Sequence, residues 1–134
     1  MRWAAGAGSY AGRVPARLRP AAAAEVEAAL ARRAAGGNEA ADQQLLVKHL
    51  LAVLTQRHPG ASVEVRVPPY AVAQCIEGAR HTRGTPPAVV ETDADTWIAV
   101  ATGAVHWSEA VLAGRIAASG ERSDLSDLLP LHAA

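Results

Sequence analysis

The chain has 134 residues, with 13 basic and 13 acidic side chains and therefore a formal charge of zero; that length fits a single domain able to bury a core without disulfides or metal. Half the residues are hydrophobic, but 32 are alanine, phenylalanine is absent, and three Trp and two Tyr are the only aromatics, so the apolar content is small side chains plus a limited set of Leu, Val and Ile. No run of about 18 apolar residues exists to span a membrane, Cys75 stands alone and excludes an internal disulfide, and the scattered His49, His58, His81, His106 and His132 lack metal-ligand spacing.

Residues 1–19 carry four Arg and no acid. Gly, Pro and Arg dominate there without apolar periodicity, which predicts a flexible basic arm. The start MRWAAGAGSYAGR has no continuous apolar segment, so no signal peptide is expected. The lone cysteine fits a reducing cytoplasm. Four Arg in such an arm make only a weak electrostatic site, and no nucleic-acid partner is expected.

A single domain is expected over residues 20–134, helical over 20–60 and sheet with helices over 61–134. Pro20 suits a first helical position, AAAAEVEAALARRAA is rich in helix formers, and Gly36-Gly37-Asn38 stops the helix. A second helix runs from about Glu39 to His58. Val47, Leu50, Leu51 and Leu54 form one apolar stripe, and Pro59-Gly60 ends it.

Val63, Val65 and Val67 alternate with Glu64 and Arg66, the pattern of a half-buried strand. Tyr70 to Glu77 is a second strand with neither face strongly polar, so both faces are expected to be covered. Pro68-Pro69 cannot supply the positive φ of a two-residue hairpin; the expectation is a looser connection or one kinked continuous strand. GARHTRGTPP, residues 78–87, reads as a loop, and Ala88 to Glu91 as a short strand.

Asp93 then caps a helix whose Trp97, Ile98 and Ala101 face the core and which Gly103 closes. A short helix from about Trp107 to Ala113 follows, with His106 at its cap and Gly114 at its end. Arg115 to Ser119 forms a strand ended by Gly120. Ser123 or Asp124 caps a last short helix through Leu129, stopped by Pro130.

Residues 91–131, ETDADTWIAVATGAVHWSEAVLAGRIAASGERSDLSDLLPL, resemble the sterol carrier protein type two family. The marks are Asp93-Ala94-Asp95-Thr96, Thr102-Gly103, Gly114-Arg115-Ile116 and Ser119-Gly120. The segment VEVRVPPYAVAQCIEGARHTRGTPP is similar to the actinobacterial branch, in keeping with a composition rich in Ala, Arg and Gly. The resemblance implies an α/β (α+β) fold: a mostly antiparallel sheet of about five strands, covered by helices; the helical residues 20–60 are a departure from it and read as an N-terminal two-helix extension. The resemblance also implies a non-catalytic domain that binds an apolar ligand such as a fatty acyl lipid, with no cofactor. The implied tunnel is lined by Val72, Ile76, Val90, Trp97, Ala101, Leu112, Ile116, Leu125 and Leu129.

Within GARHTRGTPP, Arg80, His81 and Arg83 cluster, and Arg forks hold carboxylate or phosphate. They are candidates for a ligand headgroup, or for ion pairs that pin the loop. Cys75 within an apolar strand reads as a small hydrophobe rather than a nucleophile. Apolar pockets and cores use the same residue types. The same chain therefore also fits a ligand-free interaction module or homodimer, with helix 39–58 and strand 70–77 as its interface.

Overall fold

The computed structural model describes residues 18–78 and 88–132. Its elements, in chain order, are α1 (Ala23–Ala34), α2 (Ala40–Arg57), β1 (Val63–Val67), β2 (Ala71–Cys75), β3 (Ala88–Thr92), α3 (Ala94–Ala101), α4 (Trp107–Leu112) and β4 (Ile116–Ser119), then a single 3-10 turn at Ser126–Leu128. The fold is mixed α and β, as expected. Among the described residues the sheet has four strands rather than about five, in the order β2-β1-β3-β4.

The pairs β1–β2 and β3–β4 are antiparallel, and the central pair β1–β3 is parallel. This follows from the hairpin. β2 returns the chain to the end where β1 began, so a link at that end delivers β3 alongside β1 in the same direction. The hairpin itself corrects the expectation at Pro68-Pro69. Tyr70 N–H donates to Val67 O at 2.9 Å, and the Pro68–Pro69 peptide is cis. A turn with cis proline at its third position reverses the chain without positive φ.

Register decides which face of each strand is buried. Val63, Val65 and Val67 pair with Cys75, Ala73 and Ala71. Val63 and Val65 also pair with Ala88 and Val90. This face is covered by helices. The opposite face carries Arg66, paired across to Val72 and Glu91, and Arg66 forms ion pairs with Glu64 and Glu91. Strand β2 is thus covered on one side only, not both: Val72 is 53% exposed and Gln74 is exposed.

Helix α2 lies at the centre, against β2, α3 and α1. Its Leu46, Val47, Leu50, Leu51, Ala52 and Leu54 are all buried, a band wider than one stripe because neighbours flank it. Helix α1 adds Val26 and Ala29. It ends with Gly36 at φ 96°, where the Gly37 N–H reaches Arg32 O at 2.8 Å and the Gly36 N–H reaches Arg33 O at 3.0 Å. That double bond pattern satisfies the last carbonyls and needs a left-handed residue after the helix. Helices α3 and α4 close in the same way at Gly103 and Gly114.

The last helix expected over 124–129 shortens to one 3-10 turn, because Asp124 Oδ1 takes the Ser126 N–H at 2.9 Å and Pro130 follows at once. His106 occupies the N-cap position of α4, but its side chain makes no capping bond.

Candidate ligand-binding site

The layer between the helices and the inner sheet face is built from one-sided elements. β1 contributes Val63, Val65 and Val67, β3 contributes Ala88 and Val90, and β4 contributes Ile116; α2 and α3 face them. Asp93 fixes where α3 begins. Its carboxylate accepts from the Thr96 backbone N–H at 2.8 Å and from the Thr96 hydroxyl at 2.9 Å. With the entry set, the helical period turns Trp97, Ile98, Val100 and Ala101 inward, all of them buried. The chain end is then tied to α3: the N–H groups of Leu131 and His132 both donate to Ala101 O, at 2.7 and 3.2 Å. Leu125 and Leu131 are buried beside them in the same core.

Of the nine residues expected to line a tunnel, Val90, Trp97, Ala101, Ile116 and Leu125 are buried in this core, and Ile76 and Leu129 pack partly buried against it. Val72 and Leu112 are not brought to that group. Val72 points away from the helices on the open sheet face, and Leu112, at the last position of α4, is 88% exposed. Arg80, His81 and Arg83 lie outside the described residues.

Ile76 has a backbone of its own kind. It sits at φ 69°, a left-handed conformation rare for a β-branched residue. Hydrogen bonds hold it from both sides: its N–H donates to His58 O at 2.7 Å, and its C=O accepts from the Ser62 N–H at 3.0 Å and the Ser62 hydroxyl at 2.6 Å. The clamp ends β2 and joins it to the segment after α2.

Electrostatically the interior is nearly blank. Among the described residues the buried polar side chains are Thr92 and Thr96. Thr92 donates to Arg115 O at 2.8 Å, and Thr96 serves the Asp93 cap. Trp97 is fully buried, and its indole Nε1 has no hydrogen-bond partner. Cys75 is also fully buried, and loss of hydration pushes its thiol up to about 11, the opposite of what a nucleophile requires. No group of three or more His, Cys, Asp and Glu among the described residues is placed to hold a metal ion. No described helix is long and apolar enough to cross a membrane.

Polar groups gather at one rim. Arg33 bonds the Asp95 carboxylate at 2.9 Å, Gln43 donates to the same carboxylate at 3.1 Å and to Asn38 Oδ1 at 2.6 Å, and Tyr70 donates to Gln43 Oε1 at 3.0 Å. This chain of bonds joins α1, α2, α3 and the proline turn. Beside it, Arg32 grips Asp42 with two bonds of 2.8 and 2.9 Å, which lowers the Asp42 carboxyl below its ordinary range. Elsewhere on the surface an open depression of about 310 Å³ lies between Pro68, Glu91, Thr92, Asp93, Gly114, Arg115 and Ala117. Glu91, Asp93 and Arg115 put charged groups on its rim.

Leu50 and Leu54 of the α2 stripe, and Leu46 outside it, are buried in the same core; the stripe marks an apolar helix face, but an amphipathic helix does not announce which sheet it covers. The Gln43–Asp95–Tyr70 network joins residues distant in sequence and had no local signal.

This architecture, one sheet face roofed by helices around an apolar layer, is that of a small α+β domain. The chain belongs to the family described as bacterial SCP ortholog, sterol carrier protein-like, whose model matches residues 39–131. The match begins at the N-cap of α2, so α2 is part of the family's fold and α1 precedes the matched region. No curated protein matches the chain.

Proposed function

We propose that this domain is a non-catalytic binder or carrier of an apolar ligand such as a fatty acyl lipid. The tail lies between the helices and the inner sheet face, near Val90, Trp97 and Leu125. The observation that carries the reading is the character of that layer: a single continuous apolar core with no buried charge among the described residues. Membership of a sterol carrier protein-like family supports it. Burial of an acyl chain supplies the driving force, about 0.8 kcal/mol per CH₂ group. Arg80, His81 and Arg83 are proposed to meet the polar end of the ligand at the mouth of the site.

A ligand-free interaction module is the second reading. It draws on Leu112 and Val111, neighbouring apolar residues exposed at the end of α4. The stripe of α2 does not serve it, since those leucines are buried within the chain itself. Native mass spectrometry of freshly purified protein separates the two. A bound lipid mass that is lost on denaturation is the result expected of a carrier. A clean single-chain mass, with dimers that persist on dilution, is the result expected of an interaction module.

A further inference from the structure

We propose that the interior site selects ligands bearing an uncharged hydrogen-bond acceptor, such as a carbonyl, ester or ether oxygen, and that the indole N–H of Trp97 holds it. This rests on the reading of the domain as a binder of apolar ligands. Trp97 Nε1 is the buried side-chain nitrogen left without a partner among the described residues, on a residue with no exposure to solvent. An indole N–H can only donate, so whatever satisfies it must accept. The two other buried polar side chains cannot substitute for it, because Thr92 is bonded to Arg115 O and Thr96 to Asp93.

The interior also sets the charge of the acceptor. No described Arg, Lys or His is buried. A carboxylate drawn down to Trp97 would lose its hydration with no counter-charge to replace it, whereas an ester or ketone oxygen gives up far less. A plain hydrocarbon leaves the N–H unpaired, which forgoes the hydrogen bond that the site can make. The site therefore discriminates in both directions, against an ionised group at depth and against a chain with no oxygen. An ionised end, where a ligand has one, stays at the mouth.

The test uses the full chain with ¹⁵N-labelled tryptophan and three probes: methyl laurate, tetradecane of matching chain length, and laurate at pH 8. The Trp97 indole signal is assigned by its loss in Trp97→Phe. Methyl laurate is expected to bind about tenfold or more tightly than tetradecane, a difference of ~1.4 kcal/mol, and to shift the Trp97 indole proton downfield. Laurate is expected to leave that proton nearly unmoved. In Trp97→Phe the advantage of ester over alkane should vanish. Equal binding of ester and alkane overturns the inference while the carrier reading stands, and points to internal water as the partner of the N–H. An indole shift from laurate equal to that from the ester overturns the uncharged requirement. Binding of none of the three contradicts the carrier reading for acyl chains and this inference with it. The comparison of ester with alkane in the unsubstituted protein decides the matter even where Trp97→Phe fails to fold.

Discussion

The backbone N–H of Ala21 donates to Nδ1 of His49 at 2.9 Å, fastening the start of α1 to the middle of α2. An accepting Nδ1 requires the neutral ring with its proton on Nε2. Partial burial, and then the nearby His132, lower the His49 pKa from its ordinary value of 6.5. His132 in turn lies 3.3 Å from the Glu27 carboxylate on α1. Both histidines thus bear on α1 or the residues just before it.

The sign of the pH dependence follows. The folded chain favours neutral His49, so the unfolded chain takes up the proton first as pH falls. The contribution of His49 is complete above about 6.5 and is lost as pH falls through the folded-state value. His49→Asn keeps a side-chain acceptor without a titrating group. Urea titrations of both proteins at pH values from 7.5 to 5.0 should show the wild type losing stability relative to the variant toward acid. A difference that does not change across that range would remove His49 as a titrating contact.

Gly60 gives a second expectation. It has φ 145°, and a Cβ there would come within 2.3 Å of the Ile76 carbonyl carbon and oxygen. That carbonyl belongs to the clamp in which Ile76 bonds His58 and Ser62, so backbone would have to move. Gly60→Ala should destabilise by about 3 kcal/mol or more, at the upper end for a single substitution. A loss below about 1 kcal/mol in chemical denaturation would mean that the segment yields easily.

Two leucines of opposite placement provide a third. Leu50 is buried in α2 and Leu112 is 88% exposed on α4. Leu50→Ala should cost about 2–5 kcal/mol as a core truncation. Leu112→Ala should fall within about 0.5 kcal/mol of wild type. Equal costs in parallel melts would place Leu112 in a buried interface.

Much of this architecture was legible in the chain itself, and for local reasons. The Asp93 cap with Thr96 three residues on, the glycines after α1, α3 and α4, and the alternation of Val63, Val65 and Val67 each encode an element through its own backbone chemistry. What escaped depends on pairing. Tyr70 to Glu77 has two similar faces, and only the register of Ala73 with Val65 turns Val72 outward. The place of Leu112 has no local signal, because Leu112 is the last residue of α4 and no neighbour covers it there. The tight reversal at Pro68–Pro69 is not fixed by residue type alone, because proline permits the cis peptide found there without requiring it.

The central claim is that an apolar ligand enters between the helices and the inner sheet face. Methyl-labelled Leu and Val, followed by NMR during titration with an acyl ester, tests it most directly. Saturable shifts should concentrate on Val65, Val90, Leu50 and Leu125, all buried on the inner side, while Val72 and Leu112 stay fixed. Shifts confined to Val72, Val111 and Leu112, or no saturable shift at all, would contradict the account.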